Sequence, residues 1–395
     1  MRNLSVKKYH LDTIQFLAQH VGTGKTRAAI EHISLNDSES HLFVSPTSKL
    51  AAEIYGRMKD DLAASSIVRN IKLITGEEIK KDDKIEAVVE RIMNEINELD
   101  VSESHVLVIT TAAFRLILPS LNSWAKSRYN IYLDEGIDPI ENYEAQIGSL
   151  AVKFKNLVEI DDKGKFTVKD GSRKKMKYIA DGNDKALESD GDLCHIKIIP
   201  VAKMLVNGLY DVFGTVGDNS IRAVGLVKPD SFFDFKSVTM IVAMFQQSVL
   251  AKFWRCTHGV KFKEFEHKLE MRDTHTEKGP QISIYHVLNA DDFASKRTIT
   301  SDYEGRPVIE HIAGIVSEFF NGQSYCYAVN NYCKRVKNTL SNGKAMPVKC
   351  AGLNDWRNID NVAALATSLP HTWVKNVIVK LLGDDGNQFY KDWRL

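Results

Sequence analysis

Residues 19–26 read Gln19-His20-Val21-Gly22-Thr23-Gly24-Lys25-Thr26, and residues 129–136 read Tyr129-Asn130-Ile131-Tyr132-Leu133-Asp134-Glu135-Gly136. Val21–Thr26 is the closing half of a phosphate-binding loop. Gly22 and Gly24 let the backbone curl so that its N–H groups, Thr23's among them, converge on an anion. Lys25 has the reach for the β- and γ-phosphates, and Thr26 offers a hydroxyl to Mg2+. The full pattern has Gly or Ala where Gln19 stands. Upstream, Ile14–Ala18 is an apolar run leading into the loop. Downstream, Thr26–Ile33 has the pattern of the helix such a loop introduces. The second stretch is an apolar strand ending in two acids, at the strand end where ligands bind in open parallel sheets. Asp134 would accept the water shell of Mg2+, and Glu135 would polarise an attacking water as general base. Together the two stretches imply a nucleotide that is hydrolysed.

Bulk composition sets the frame. A chain of 395 residues has room for two or three cores, and its 44% hydrophobic and 26% charged content is ordinary for a globular enzyme. The net charge of +1 supplies no global field for nucleic acid, so such binding must rest on local patches. Cys194, Cys256, Cys326, Cys333 and Cys350 form no Cys-x-x-Cys pair, which fits free thiols in a reducing compartment. Met1–Lys8 lacks the apolar run of a signal peptide. Ile241–Phe245 and Val374–Leu382 are too short or interrupted to span a bilayer. The expectation is a cytoplasmic protein of a bacterial or phage-infected cell, with no membrane partner.

Along the chain, helix-like and strand-like segments alternate over the first 135 residues, the texture of a parallel sheet with crossover helices. Strands are expected at His41–Ser45, Asn70–Ile74, Val106–Thr110 and Ile131–Leu133, and helices at Lys49–Lys59 and Lys84–Leu99. From 137 to 236 the alternation stops, and an inserted α+β subdomain is expected. It would hold a β-hairpin at 157–168, a basic stretch at Lys169–Lys177, an acidic loop at Asp181–Asp192, a helix at Pro200–Phe213 and a strand at Ile221–Val227. The basic stretch reads first as a solvated face and second as a nucleic-acid contact. Regular texture returns at Ser237–Phe245, followed by a helix at Gln246–Arg255. The domain division expected is 1–265, a linker at 266–280, and a second α/β unit over 281–395. That unit would hold a strand at Gln281–Leu288, a helix at Val308–Phe320, a strand at Ser324–Val329, a helix at Asn331–Asn342 and a strand at Asn361–Ala366.

With the loop and acid pair in place, the chain resembles the superfamily 2 helicases and translocases. Ser45-Pro46-Thr47-Ser48-Lys49-Leu50-Ala51 is similar to motif Ia, and Val108–Phe114 to motif Ib. Val238–Phe245 stands where motif III should, keeping Ala243 of the usual Ser-Ala-Thr. Ser324–Val329 is placed like motif IV, and Ala351-Gly352-Leu353-Asn354 is similar to the Gly-Leu-Asn variant of motif V. The resemblance implies two RecA-like P-loop domains, ATP and Mg2+ in the cleft between them, and a nucleic-acid path lined by motifs Ia, Ib, IV and V. Carried over residue by residue, it assigns Lys25, Asp134 and Glu135 to catalysis, Gly22–Thr26 to the nucleotide, and Thr26 and Asp134 to Mg2+. Thr47, Lys49, Thr110, Thr111, Gly352 and Asn354 are assigned to nucleic acid. Thr and Ser at these positions also read as helix caps. A Gln-x-x-Gly-Arg-x-x-Arg-like helix, motif VI of the family, is not recognisable before Leu395, and Arg335 and Arg357 lack its pattern. This leaves an incomplete second domain, a protein partner that supplies the arginine or a loading function, or weak hydrolysis.

The expectation is therefore an α/β protein with two RecA-like domains, an ATP-dependent helicase or translocase acting on DNA or RNA, with DNA favoured. An ATP-gated nucleic-acid-binding module without turnover, and a P-loop phosphotransferase, are the alternatives.

Overall fold

Short runs in which every residue is buried, such as Ser40–Ser45 and Tyr129–Asp134, can only be central strands covered on both faces. In the computed structural model they are. Residues 13–19, 22–64, 70–76, 85–98, 103–182, 196–267, 296–346, 358–366, 372–384 and 386 are described. The chain divides into two compact units, one of residues 1–274 with 371–395 and one of residues 275–370.

The first unit is built on a seven-stranded parallel sheet. Its strands are β1 (Thr13–Leu17), β2 (Ser40–Ser45), β3 (Asn70–Ile74), β4 (His105–Thr110), β5 (Tyr129–Asp134), β11 (Ser237–Ile241) and β12 (Lys261–Glu264), in the order β12-β1-β11-β5-β2-β4-β3. Alternate residues of each strand feed opposite cores. On one face Phe43, Val106, Val108 and Tyr132 meet helices α1 (Lys25–Leu35) and α2 (Ser48–Ala64) through Ala29, Ile33, Ala51 and Ile54. On the other, Leu42, Val44, Leu107, Ile109 and Leu133 belong to the core that includes α3 (Ile85–Glu98), α4 (Thr111–Ile117) and α9 (Val249–His258). Phe253 and Trp254 of α9 are buried there, and Trp254 Nε1 donates to the Val227 carbonyl at 2.6 Å. The edge strand β12 is short and charged, a composition that blocks further pairing and reads as loop in sequence.

Between β5 and β11 the chain builds the inserted subdomain. Strands β6 (Ile140–Gln146), β9 (Tyr210–Val216) and β10 (Ser220–Val227) form an antiparallel sheet in the order β6-β10-β9. A hairpin of β7 (Val158–Ile160) and β8 (Phe166–Val168) and helices α6 (Leu150–Lys155), α7 (Arg173–Ala180) and α8 (Ile199–Val206) complete it. One local expectation is corrected here, and one strand is new. The helix expected over Pro200–Phe213 stops at Val206, because Gly208 turns left-handed (φ 74°) and Asn207 Oδ1 accepts from Leu209 N at 2.9 Å, which starts β9. Strand β6, half exposed and rich in Glu, has no buried run to announce it. Gly214 sits where the hairpin and two strands meet. Its N–H donates to the Gly164 carbonyl, and a Cβ on it would stand 1.9 Å from the Arg222 carbonyl oxygen.

The second unit holds a helix α10 (Lys296–Thr300), a hairpin of β13 (Asp302–Tyr303) and β14 (Arg306–Pro307), and helix α11 (Val308–Phe319). Its three-stranded parallel sheet pairs β15 (Tyr325–Val329) with β16 (Lys344–Ala345) and β17 (Asn361–Leu365). Ile309, Ile312, Val316, Tyr325, Val336 and Ala363 form its core. The helix expected at Asn331–Asn342 is a 3-10 segment, Asn331–Lys337, kinked at Cys333. The expected strand Gln281–Leu288 lies outside the described residues. Helix α12 (Thr372–Leu382), which the sequence pattern groups with the second domain, packs in the first unit by burying Val374 and Ile378 in its core. Among the described residues no helix is long and apolar enough to cross a membrane, and Cys256, Cys326 and Cys333 are free.

Gly214→Ala is expected to lower stability by about 2–3 kcal/mol, since the added methyl must push β9 from β10. Urea unfolding measures this, and an unchanged midpoint would refute the close packing.

Candidate nucleotide-binding site

The sheet register sets the site. Ile241, the last residue of β11, lies opposite Leu17 of β1 on one side and Asp134 of β5 on the other. The loop after β1, the acid pair after β5 and the turn after β11 therefore share one carboxyl edge, where a parallel sheet offers its crevice.

The loop supplies the cradle. Gly22 (φ 83°) and Gly24 (φ 103°) are both left-handed, and Gly24 caps α1 while its carbonyl accepts from Ala28 N at 2.9 Å. Nothing lies within 4 Å of a Cβ built on Gly24, so backbone conformation alone demands glycine there and the space above it is open. Thr23 and Lys25 are buried. Burial lowers the Lys25 pKa, and the carboxylates of Glu135 and then Asp134 work against that shift.

Asp134 faces the loop across the sheet edge. It is 3% exposed, and its Oδ1 accepts a hydrogen bond from Thr26 Oγ1 at 3.1 Å. Its carboxyl is pushed up to about 7, by burial first and by the neighbouring Glu135 second, against the Thr26 hydroxyl, Lys25 and the Glu135 amide. Glu135 is exposed and left-handed, with φ 58°. For a non-glycine residue this conformation costs on the order of 1 kcal/mol. The turn is held by Glu135 N donating to the Ile241 carbonyl at 2.9 Å. Gly136 follows at φ 71°, where a Cβ would stand 2.8 Å from Val242 Cγ2. Backbone strain thus turns Glu135 outward while Asp134 stays buried.

These groups fit a magnesium-bound polyphosphate. A hydroxyl and a carboxylate oxygen in contact are hard oxygen donors, suited to an ion that keeps several waters and takes one or two protein ligands. Among the described residues no group of three or more His, Cys, Asp or Glu gathers as a metal cage.

The nucleic-acid candidates fall in two groups. Thr47, Thr110 and Thr111 stand at the carboxyl ends of β2 and β4, which pair in register up to Ser45 and Thr110. Two of their hydroxyls cap helices: Thr47 Oγ1 accepts from Leu50 N at 3.2 Å, and Thr110 Oγ1 from Ala113 N at 3.3 Å. Thr111 Oγ1 donates to the Ser45 carbonyl at 3.2 Å. Lys49 is exposed on the first turn of α2. Gly352 and Asn354 lie outside the described residues, as does Arg357. Arg335 lies 3.8 Å from Glu310 within the second unit.

Two features escape sequence reading. Ser45 ends β2 one position beyond the Val44–Leu133 pair, so it flanks Asp134; it is fully buried, and its hydroxyl has no hydrogen-bond partner among the described residues. His32 Nδ1 and Tyr132 Oη lie 2.8 Å apart, tying α1 to β5 two residues before Asp134. Strand register places Ser45 and the packing of α1 on the sheet places His32, and neither is visible in one dimension.

No protein-family profile matches the chain, and no curated protein matches it. Among solved structures, a chain described as an XPD helicase aligns over 98% of this chain and 90% of its own, at 13% identity and a TM-score of 0.40. A truncated XPD aligns over 65% of this chain and 96% of its own, at 14% identity and a TM-score of 0.30. Likeness at this level carries no functional argument, and the site must speak through its own geometry.

Two outcomes are expected. A carboxyl whose pKa is raised on folding favours the native state when protonated. The Asp134 contribution is therefore fully present below pH of about 4 and is lost as pH rises through about 7. Nucleotide-free Asp134→Asn should lack that loss and gain on the order of 1 kcal/mol or more over the parent at pH 8. Parallel stability profiles for both proteins from pH 5 to 8 would contradict the buried carboxyl. Glu135→Gly should stabilise the protein by about 1 kcal/mol by relieving the left-handed strain, read as a higher melting temperature.

Proposed function

We propose that the protein is an ATP hydrolase whose turnover is coupled to nucleic acid, a helicase or translocase of the superfamily 2 type with two RecA-like domains. The observation that carries the reading is the Thr26–Asp134 hydrogen bond, with buried Lys25 beside both acids. It supports a loop and an acid pair that work on one ligand.

In this reading the N–H groups of Gly22–Thr26 cradle the phosphates, and Lys25 reaches the β- and γ-phosphates of ATP. Thr26 and Asp134 hold Mg2+, which neutralises charge on the phosphates when bound. Their mutual hydrogen bond holds both donors in place beforehand. Glu135, aimed outward by its strained turn, takes the proton of the attacking water. Thr47, Lys49, Thr110 and Thr111 line the path of one strand, DNA in preference to RNA. The capping hydroxyls keep free lone pairs, and the N–H groups beside them offer a sequence-independent grip on phosphate.

A nucleotide-gated clamp without turnover shares the loop but has no use for a strained acid. The left-handed Glu135 favours hydrolysis. Lys25→Ala is expected to abolish binding of a fluorescent ATP analogue. Glu135→Gln should keep that binding and lower ATPase by 10²-fold or more, a loss on the order expected for a general base. Single-stranded DNA should stimulate the unmodified protein. If Glu135→Gln hydrolyses ATP at the parental rate, with no stimulation by DNA in either protein, the motor reading fails.

A further inference from the structure

We infer that the exposed face of α7, in the inserted subdomain, is a second nucleic-acid contact that grips the phosphate backbone ahead of or behind the main path. The inference rests on the functional reading above and adds to it a surface that the helicase-type motifs do not include.

Helix α7 runs Arg173-Lys174-Lys175-Met176-Lys177-Tyr178-Ile179-Ala180. Met176, Ile179 and Ala180 are buried in the subdomain core, and the helix packs on α8, so its orientation is fixed. That leaves Arg173, Lys174, Lys175 and Lys177 exposed. None of the four makes an ion pair among the described residues, and the flanking Asp170 and Asp181 do not pair with them.

Three of these cations occupy the first turn, against the positive end of the helix dipole, and no acid stands in that turn. Ser172 provides no side-chain cap. Folding alone favours the opposite placement, acids first and bases last. A fixed row of positive charge with no ion-pair partner among the described residues is instead what a polyanion complements. Tyr178, 51% exposed on the same short helix, adds a ring on which an unpaired base can stack. With a chain net charge of only +1, a concentrated patch of this kind is the local field that backbone binding requires. Cations and a single ring grip phosphate and stack on any base, so the contact is sequence-independent.

The test compares the unmodified full chain with a triple variant, Lys174→Gln, Lys175→Gln and Lys177→Gln, and with the corresponding triple Lys→Arg variant. Binding of a labelled single-stranded DNA and of a blunt duplex is followed by fluorescence anisotropy from 50 to 300 mM salt, and melting temperatures establish that all three fold. The glutamine variant is expected to bind about tenfold more weakly. Its salt slope on duplex should be shallower by about 2 to 3, because each phosphate left without its cation takes about 0.9 from the slope. The arginine variant should behave as the parent. Equal affinity and slope for the glutamine variant overturn the inference and leave the functional reading standing. Failure of the parent to bind any nucleic acid overturns both. Loss of binding to phosphatidylserine vesicles, with DNA binding intact, would assign the patch to a lipid surface and also overturn it.

Discussion

The contact between Thr26 and Asp134 joins two pieces of chain 108 residues apart. Neither residue can be placed without the register of the sheet beneath. β1, β11 and β5 must lie side by side, each ending at the same level, before a hydroxyl at the head of α1 can meet a carboxyl at the end of β5. The apolar faces enforce that level. Slipping one strand by a residue would swap its buried set between the two cores. The polar contact is thus a readout of hydrophobic packing, and the packing exists independently of any ligand.

Electrostatics at the edge stays unresolved in the free protein. Lys25 and Asp134 are both buried, yet each is pushed toward its neutral form. Burial outweighs their mutual attraction, as is common where two charges leave water together. A site in this condition gains most from a ligand that carries both signs of charge. In the function proposed above, a polyphosphate would answer Lys25 and a divalent ion Asp134. The strain at Glu135 belongs to the same arrangement, a local conformational cost borne by the surrounding sheet.

Local chemistry makes much of this legible in the sequence. Gly22–Thr26 stands out as a candidate phosphate-binding loop because such loops need glycine, lysine and a hydroxyl at fixed spacing, and the buried strands stand out because two-sided burial demands unbroken apolar runs. What stays hidden depends on pairing across distance. β12 looks like loop because an edge strand carries charge, and β6 escapes notice for the same reason. Helix α8 reads too long because Val206 and Tyr210 both look apolar, while the break comes from the backbone of Gly208. Ser45 is visible as a residue but not as a neighbour of Asp134. Thr47 and Thr110 read both as nucleic-acid contacts and as helix caps, and the structure engages each as a cap.

The inserted subdomain has a consequence for how the chain is wired. β5 and β11 are adjacent and parallel, so the chain leaving Asp134 at one edge must travel back to the opposite edge before it can enter β11 at Ser237. A tight turn cannot do this; a crossover of about a dozen residues is the minimum. Residues 136–236 span that crossover, and its described part is a folded body. The subdomain is therefore wired in series with the acid pair: its first residue shares the turn of Glu135, and its exit strand ends at the carbonyl that holds the Glu135 amide. The body is thus hinged like a bucket handle, at Gly136 beside the acid pair on one edge of the sheet and at Ser237 on the other.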